Sequence, residues 1–313
     1  MERYAAGIDV GGTTVKMGLF SDEGLLEKWE IPTRKKDGGK QVLPDIAESL
    51  SGHLAARKMT FGDLKGAGID VPGAVLEDGT VNRCVNIGWG VFQLRDTFSG
   101  MIGGIPVEAV NDANAAALGE QWKGSGSGYH NIVMVTLGTG VGGGVVVNDR
   151  IVTGAFGAAG EIGHLQMRED ETETCGCGKR GCLEQYASAH GIARVTKKYL
   201  KEHPKEATSL RFQNHISARV LFDEAKKGDK VSLKIMEEVC RCLGRGLSFV
   251  SAVIDPEMFV IGGGVSNAGP ILTDTIQKYY REYAFHASRK TKFRLASLGN
   301  DAGMYGSARL ILG

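Results

Sequence analysis

The amino-acid sequence has no excess of charge of either sign. Its 313 residues include 37 lysines and arginines and 36 aspartates and glutamates, for a formal net charge of +1 at pH 7. Proteins that bind nucleic acids or anionic membranes draw much of their affinity from clustered positive charge. The balance argues against both kinds of partner and favours a small molecule.

The sequence also lacks a hydrophobic run long enough to span a membrane. The uncharged stretch 132–147 is shorter than the roughly 18 residues that mark a span, and its five glycines are more typical of buried strands. Near the N-terminus, Glu2 and Arg3 interrupt the chain too early for the apolar core of a signal peptide. We therefore expect a cytoplasmic protein without a membrane partner.

Low hydrophobicity, which marks disordered chains, is absent as well. Hydrophobic residues make up 42% and charged residues 23% of the chain, an ordinary globular balance. The length of 313 residues exceeds the commonest size of a single domain, so we expect two domains.

Glycine, by contrast, is abundant, at 46 residues or about twice its usual share. Three segments run from an apolar strand into a glycine cluster: Ala5–Thr14, Ile132–Gly144 and Met258–Ser266. The first two resume as strands and are predicted to be β-hairpins, one opening each half of the chain. A strand over 105–110, an alanine-rich helix over 113–122 and a final helix near 303–312 complete the pattern of an α/β fold.

The first glycine cluster has the composition of a phosphate-binding turn. Backbone N–H groups, two hydroxyls and a lysine are available to a phosphate chain, and the candidate residues are Asp9, Gly11, Gly12, Thr13, Thr14 and Lys16. A hairpin turn without a ligand is the alternative. The motif is not a Walker A loop, because no Gly-Lys-Ser/Thr follows a four-residue gap.

The other two clusters extend this prediction to a whole nucleotide. Gly138, Thr139 and Gly140 repeat the phosphate turn at the start of the second half, which predicts a nucleotide in a cleft between two domains. Gly262, Gly263 and Gly264 offer bare backbone to a purine or a ribose. For this third cluster an ordinary tight turn is an equal alternative.

Asp112 is the candidate catalytic carboxylate. It stands with Asn111 where a predicted strand gives way to a helix, a position that directs side chains into a cleft at the edge of a sheet. The alternative is a helix N-cap, since Asp and Asn are both favoured there.

One histidine and three cysteines form a candidate zinc site. His164, Cys175, Cys177 and Cys182 provide the four nitrogen and sulfur ligands that tetrahedral zinc requires, in a glycine-rich loop. Because the protein fills all four positions, such a zinc ion is structural. Reduced cysteines without a metal are the alternative, and Cys84, Cys240 and Cys242 receive no function.

Taken together, these motifs resemble the ROK family of sugar kinases and sugar-responsive regulators, in particular its bacterial glucokinase branch. The resemblance covers nearly the whole chain. It is carried by the turn 9–13, the block 111–120, the turn 137–144, and Glu161-Ile-Gly-His164 with its Cys-x-Cys-Gly-x-x-Gly-Cys-x-Glu continuation.

The resemblance implies an actin-like, ribonuclease-H-like fold of two domains with a cleft between them. Residues 1–120 would form a small N-terminal domain, joined by the C-terminal helix 303–313, and residues 121–302 a large domain with the zinc loop. The implied reaction is the ATP-dependent phosphorylation of the 6-hydroxyl of a hexose, with glucose first, Mg²⁺ on the nucleotide and a homodimer or homotetramer as the assembly.

The resemblance also assigns roles to single residues. Asp112 would be the base that takes the proton from the 6-hydroxyl. The expected sugar-binding residues are Gly73, Asn86, Asn111, Asp112, Glu161, His164 and Glu184.

Three alternatives stay open within the family. The sugar could instead be N-acetylmannosamine, fructose or allose, and polyphosphate could replace ATP. A sugar-sensing transcriptional regulator is the rival from another class. We expect a kinase, because the phosphate turn begins at Asp9 and leaves no room before it for a DNA-binding domain.

Overall fold

A computed structural model describes residues 3–313 of the chain, which divides into two compact units. Unit 1 runs up to His130 and adds Gly144–Gly160 and Ser297–Gly313, while unit 2 comprises Asn131–Gly143 and Glu161–Ala296. This division differs from the expected boundary at residues 120 and 121, which falls inside a helix. Residues 144–160, expected in the large domain, belong to unit 1.

Unit 1 opens with three strands and contains most of the strands of the chain. Its strands up to residue 111 are β1 Tyr4–Val10, β2 Thr14–Ser21, β3 Gly24–Pro32, β4 Leu64–Val71, β5 Ala74–Val75, β6 Thr80–Arg83, β7 Phe92–Gln93 and β8 Val107–Asn111. Its α-helices up to residue 123 are α1 Lys36–Gly39, α2 Val42–Ala56, α3 Leu94–Met101 and α4 Asp112–Lys123.

The remaining elements follow the same alternation of strands and helices. The strands are β9 Ile132–Leu137, β10 Val141–Val147, β11 Arg150–Ile151, β12 Met258–Gly262 and β13 Lys292–Leu295. The helices are α5 Glu184–Ala187, α6 Ala189–Glu202, α7 Ala218–Lys226, α8 Lys230–Ile254, α9 Pro270–Tyr283 and α10 Ala302–Leu312.

The main sheet of unit 1 has the strand order β3-β2-β1-β4-β8. Its two faces follow from the alternation of side chains along each strand. Ala6 and Ile8 of β1 face a core that includes Ile46 of α2 and Phe98 of α3, whereas Ala5 belongs to a second cluster with residues of α10. The sheet therefore has helices on both faces, and β1 contributes to both cores.

Glycines allow α10 to lie directly on this sheet. A Cβ atom on Gly7 would collide with the carbonyl oxygen of Met304, and one on Gly68 with that of Ser307. The contact of α10 with α4 is equally close, since a Cβ atom on Gly306 would collide with the carbonyl oxygen of Ala115. Part of the glycine abundance thus serves backbone packing rather than ligand binding.

In unit 2, β12 pairs in parallel with β9 on one side and with β13 on the other. These strands belong to a sheet of order β11-β10-β9-β12-β13. Strand β10 begins in unit 2 at Val141 and continues in unit 1 from Gly144.

Most predicted elements are present with shifted ends. The alanine-rich helix extends over Asp112–Lys123, and the final helix over Ala302–Leu312. The strand predicted over 105–110 begins only at Val107, after Pro106, which has no N–H to donate to a neighbouring strand.

Candidate functional site

The first glycine turn connects β1 to β2, and its backbone is not covered by side chains at Gly12. The Gly11 N–H donates to the carbonyl oxygen of Thr14 at 3.0 Å, which closes a tight turn. A Cβ atom on Gly12 would meet no other atom within 4 Å, so this residue borders open space. Thr33 holds the turn from the side, because its hydroxyl donates to the carbonyl oxygen of Gly11 at 2.7 Å.

Asp9 and Lys16 face each other across the antiparallel pair β1–β2. The Lys16 Nζ lies 3.4 Å from Asp9 Oδ2 and donates to the carbonyl oxygen of Asn300 at 2.7 Å. Burial raises the pKa of Asp9, and the positive charge of Lys16 opposes that rise. The strand residues that flank the turn therefore provide a carboxyl group and an ammonium group, and both side chains are only partly exposed.

A second carboxyl group, Asp70, lies beside Asp9 and was missed by the sequence analysis. It is completely buried, and its pKa is raised well above the usual range by burial and by the charge of Asp9. A signal for it exists in the sequence: Ala-Gly-Ile-Asp-Val occurs twice, at 6–10 and at 67–71. In the parallel pair β1–β4 the two copies align residue for residue, so Asp9 is opposite Asp70.

Asn111, and not Asp112, is the N-cap of α4. The Asn111 Oδ1 accepts the backbone N–H of Ala113 at 2.9 Å and that of Asn114 at 3.4 Å. Asp112 is the first residue of the helix and is exposed, with its Oδ1 accepting the N–H of Ala113 at 2.8 Å. The capping role that competed with catalysis for Asp112 is thus filled by its neighbour.

Gly73 and Asn86 are two further expected sugar-binding residues of unit 1. The Asn111 Nδ2 donates to the carbonyl oxygen of Gly73 at 3.1 Å, which joins these two residues directly. Gly73 packs against the end of β6, where a Cβ atom would lie 2.5 Å from the carbonyl oxygen of Arg83. Asn86 is exposed in the turn that follows β6.

In unit 2, the second and third glycine clusters lie at the carboxyl ends of adjacent parallel strands, with Gly262 of β12 opposite Thr136 of β9. The Gly138 N–H donates to the carbonyl oxygen of Gly140 at 3.0 Å and closes the second turn. Gly263 has a φ of +82°, and a Cβ atom there would lie 2.6 Å from the carbonyl oxygen of Leu137. The close approach of the two clusters therefore requires glycine at 263.

Two cavities of unit 2 adjoin these clusters. One of about 880 Å³ is lined by Gly264 and by basic side chains that include Lys197 and Arg219. Another of about 310 Å³ is lined by Thr139 and Gly140. His190 and Arg194 line both cavities, and acidic side chains line them as well, with Asp223 in the larger and Glu173 and Glu184 in the smaller.

The four candidate zinc ligands come together within unit 2. The ligand atoms of His164, Cys175, Cys177 and Cys182 all lie within 4.8 Å of one another. Cys177 Sγ is 3.6 Å from Cys182 Sγ, and Cys175 Sγ is 3.9 Å from His164 Nδ1. Tetrahedral zinc with a Zn–S distance of about 2.3 Å places its sulfur ligands about 3.8 Å apart, so the group fits this metal.

The thiols of this group differ in acidity: burial raises the pKa of Cys175, whereas a hydrogen bond from the backbone of Lys179 lowers the pKa of Cys177. Burial raises the pKa of Cys182 to about 12, so this thiol is protonated near neutrality unless a metal replaces its proton. All six cysteines of the chain are free thiols.

Two expected sugar-binding side chains, Glu161 and Glu184, lie next to the candidate zinc ligands, and a third, His164, is itself one of those ligands. His164 directs Nδ1 towards Cys175 and Nε2 towards Glu161, whose Oε2 is 3.8 Å away. Glu184 accepts the backbone N–H of Val141 through Oε2 at 3.1 Å and approaches Cys175 Sγ with Oε1 at 3.6 Å. Glu184 therefore connects the second glycine turn to the cysteine loop.

The family model of the ROK family matches residues 5–313. The chain belongs to the ROK family. A glucokinase of Halalkalibacterium halodurans is 41% identical to this ROK protein over 315 residues, which cover 99% of this chain and 95% of that one.

Two solved structures of the ROK family are similar to this protein over nearly its whole length. A ROK glucokinase of Streptomyces griseus, solved with glucose and AMPPNP, is 32% identical, covers 98% of both chains and has a TM-score of 0.74. A ROK hexokinase of Thermus thermophilus is 32% identical, covers 97% of this chain and 96% of that one, and has a TM-score of 0.82. The expected α/β, actin-like fold class is thereby confirmed.

Within residues 3–313, helices as long and apolar as a membrane span are absent.

Proposed function

We propose that this ROK protein is an ATP-dependent sugar kinase that phosphorylates the 6-hydroxyl of a hexose, with glucose as its preferred substrate. The observation that carries the proposal is the likeness, over 98% of the chain, to a glucokinase solved with glucose and AMPPNP.

Asp112 is proposed as the base that accepts the proton of the 6-hydroxyl. It is exposed at the N-terminus of α4, where the helix dipole favours the ionised carboxylate. Its Oδ1 accepts the N–H of Ala113 at 2.8 Å, which orients the carboxylate at the start of the helix. Positioned proton transfer of this kind contributes roughly 10²–10⁴-fold to the rate.

The hexose hydroxyls are proposed to bind Glu161, His164 and Glu184, with further contacts from Gly73, Asn86 and Asn111. An ionised Glu161 only accepts hydrogen bonds, while His164 with Nδ1 on a metal donates through Nε2. Such a pair suits a hydroxyl group, which both donates and accepts. Because Asn111 uses its Oδ1 as a helix cap, a contact from Asn111 to the sugar would come from its amide nitrogen.

The nucleotide is proposed to bind the three glycine clusters. The phosphate groups would meet the backbone N–H groups of the first two turns and the ammonium group of Lys16. The adenosine would occupy the 880 Å³ cavity beside Gly264, where Ile216, Phe222 and Val265 offer apolar surface to a purine. Asp9 is proposed to accept a hydrogen bond from a water molecule around Mg²⁺ and not to bind the ion directly. The ion supplies charge neutralisation on the β- and γ-phosphates.

His164, Cys175, Cys177 and Cys182 are proposed to hold one structural zinc ion. Coordination through Nδ1 fixes the ring of His164 and leaves Nε2 free to face the sugar. The metal thus shapes the sugar site without taking part in phosphoryl transfer.

A coupled assay over a panel of hexoses, with ATP and with polyphosphate, tests the proposal. The highest kcat/KM is expected for glucose with ATP. The preference for glucose would be wrong if N-acetylmannosamine were phosphorylated more efficiently. The kinase function itself would be wrong if the zinc-loaded protein phosphorylated no hexose with either donor.

A further inference from the structure

We propose that Asp70 is a positioning residue of the phosphate turn: it stays protonated and donates a hydrogen bond that fixes the carboxylate of Asp9. The proposal rests on the proposed function, because Asp9 and Lys16 lie at the foot of the turn that would receive the phosphates.

The first observation is the placement of two acids side by side. Asp9 and Asp70 occupy matching positions of the paired strands β1 and β4, and a carboxyl oxygen of each lies against the same residue, Gly303. A hydrogen bond between two carboxyl groups requires a proton on one of them. Two carboxylates in contact also repel each other so strongly that one of them retains its proton.

The second observation assigns the proton to Asp70. Asp70 is 0% exposed, whereas the side chain of Asp9 is 19% exposed and has Lys16 as an ion-pair partner. The Asp70 Oδ2 accepts the hydroxyl hydrogen of Ser307 at 2.9 Å, and its Oδ1 is a buried oxygen reached by no donor. A buried carboxylate would leave that oxygen unsatisfied. A carboxylic acid instead places its own O–H between the two side chains.

All the charged groups around the pair favour the same assignment. Asp112 from the start of α4 and Asp9 from β1 both add negative charge at Asp70. Asp301, just before α10, adds negative charge at Asp9, and Lys16 from β2 is the cation that stabilises Asp9. The single ionised carboxylate of the pair is therefore the one beside the lysine.

The third observation is that both acids pack against the start of α10. Gly303, in the first turn of α10, packs against both acids. A Cβ atom there would lie 3.0 Å from Asp70 Oδ2 and 3.2 Å from Asp9 Oδ2. The helix end, the Ser307 hydroxyl and the strand pairing together hold the Asp70 side chain in one position.

Two substitutions of Asp70 separate a donated hydrogen bond from a negative charge. Asp70→Asn keeps a donor of the same shape without a charge, and we expect KM for ATP within about twofold of the wild type. Asp70→Ala removes the donor, and we expect KM for ATP to rise about 10–100-fold with KM for glucose unchanged, as for other residues that orient a functional carboxylate. Ser307→Ala is the matched control, because it removes the other partner of Asp70 and leaves Asp9 untouched.

Infrared spectroscopy of the free protein at neutral pH, with aspartate carboxyls labelled with carbon-13, tests the protonation state independently of folding defects and activity. We expect the carbonyl band of a protonated aspartic acid in the wild type and its loss in Asp70→Asn. The inference is overturned if the wild type lacks that band, if Asp70→Asn impairs ATP binding as much as Asp70→Ala does, or if Asp70→Ala binds ATP normally. A wild type that shows the band but phosphorylates no hexose would refute the proposed function and leave the Asp70–Asp9 proton in place.

Discussion

Replacing Asp70 by asparagine should stabilise unit 1 increasingly as the pH rises. In the folded protein the Asp70 carboxyl group is fully buried next to Asp9, and its pKa is raised well above the ordinary value of 3.8. Unfolding exposes it to water, where it ionises with an ordinary pKa. The wild type must therefore bind a proton on folding at any pH between these two values, and asparagine has no such requirement.

The size of the effect follows from linkage between protonation and folding. A group whose folded pKa is raised contributes stability that is fully present below its unfolded pKa and is lost as the pH rises towards its folded pKa. The loss is about 1.4 kcal/mol per pH unit in that interval. The free energy of unfolding of Asp70→Asn should thus rise relative to the wild type from pH 5 upwards, with this slope for as long as the pH stays below the folded pKa of Asp70.

Urea unfolding followed by tryptophan fluorescence is a suitable assay, because Trp29, Trp89 and Trp122 all lie in unit 1. Measurements at pH 5, 6 and 7 give the difference between variant and wild type at each pH. Asp63→Asn is the control: hydrogen bonds from Thr60 lower the pKa of this exposed carboxyl group, so its removal gives no gain that grows with pH. A constant difference between Asp70→Asn and the wild type from pH 5 to pH 7 would refute the reasoning.

The remaining predictions concern the proposed catalytic and metal residues. Asp112→Asn should bind glucose normally by calorimetry and lose about 10²-fold or more in kcat, and near-normal turnover would exclude Asp112 as the base. Glu161→Ala should weaken glucose binding and reduce the preference for glucose over 2-deoxyglucose, since an acceptor for the hydroxyl is lost; an unchanged ratio of kcat/KM would contradict its role. Elemental analysis should find one zinc ion per chain, and chelation should lower both the melting temperature and the affinity for glucose. Protein purified without chelator that contains no zinc would contradict the metal assignment.

The features that the sequence predicts well are those encoded within a short segment. The turn at Gly11 and Gly12, the helix that begins at Asp112 and the cysteine loop each depend on a few neighbouring residues. Backbone conformation, cap preference and ligand spacing act over that distance. The fold class and the family could be read from such segments and their order.

Two features of the site could not be predicted in this way. The choice of Asn111 over Asp112 as the helix cap depends on backbone geometry, because both residue types are good caps and they are adjacent. The position of Asp70 depends on the pairing of two strands that are separated by more than fifty residues. The repeated Ala-Gly-Ile-Asp-Val segment is visible in the sequence, but only the strand register shows that its two aspartates lie side by side.

The sheet order explains how one pentapeptide provides two different acids. In the order β3-β2-β1-β4-β8, strand β1 has β2 as its other neighbour and β4 has β8. Asp9 is therefore opposite Lys16 on one side and Asp70 on the other, while Asp70 is opposite Asp9 and Val110. A cation next to one acid and an apolar side chain next to the other decide which of them ionises, because burial without a partner favours the neutral form. The location of the proton is thus a property of the strand order and not of the local sequence, which is identical around both residues.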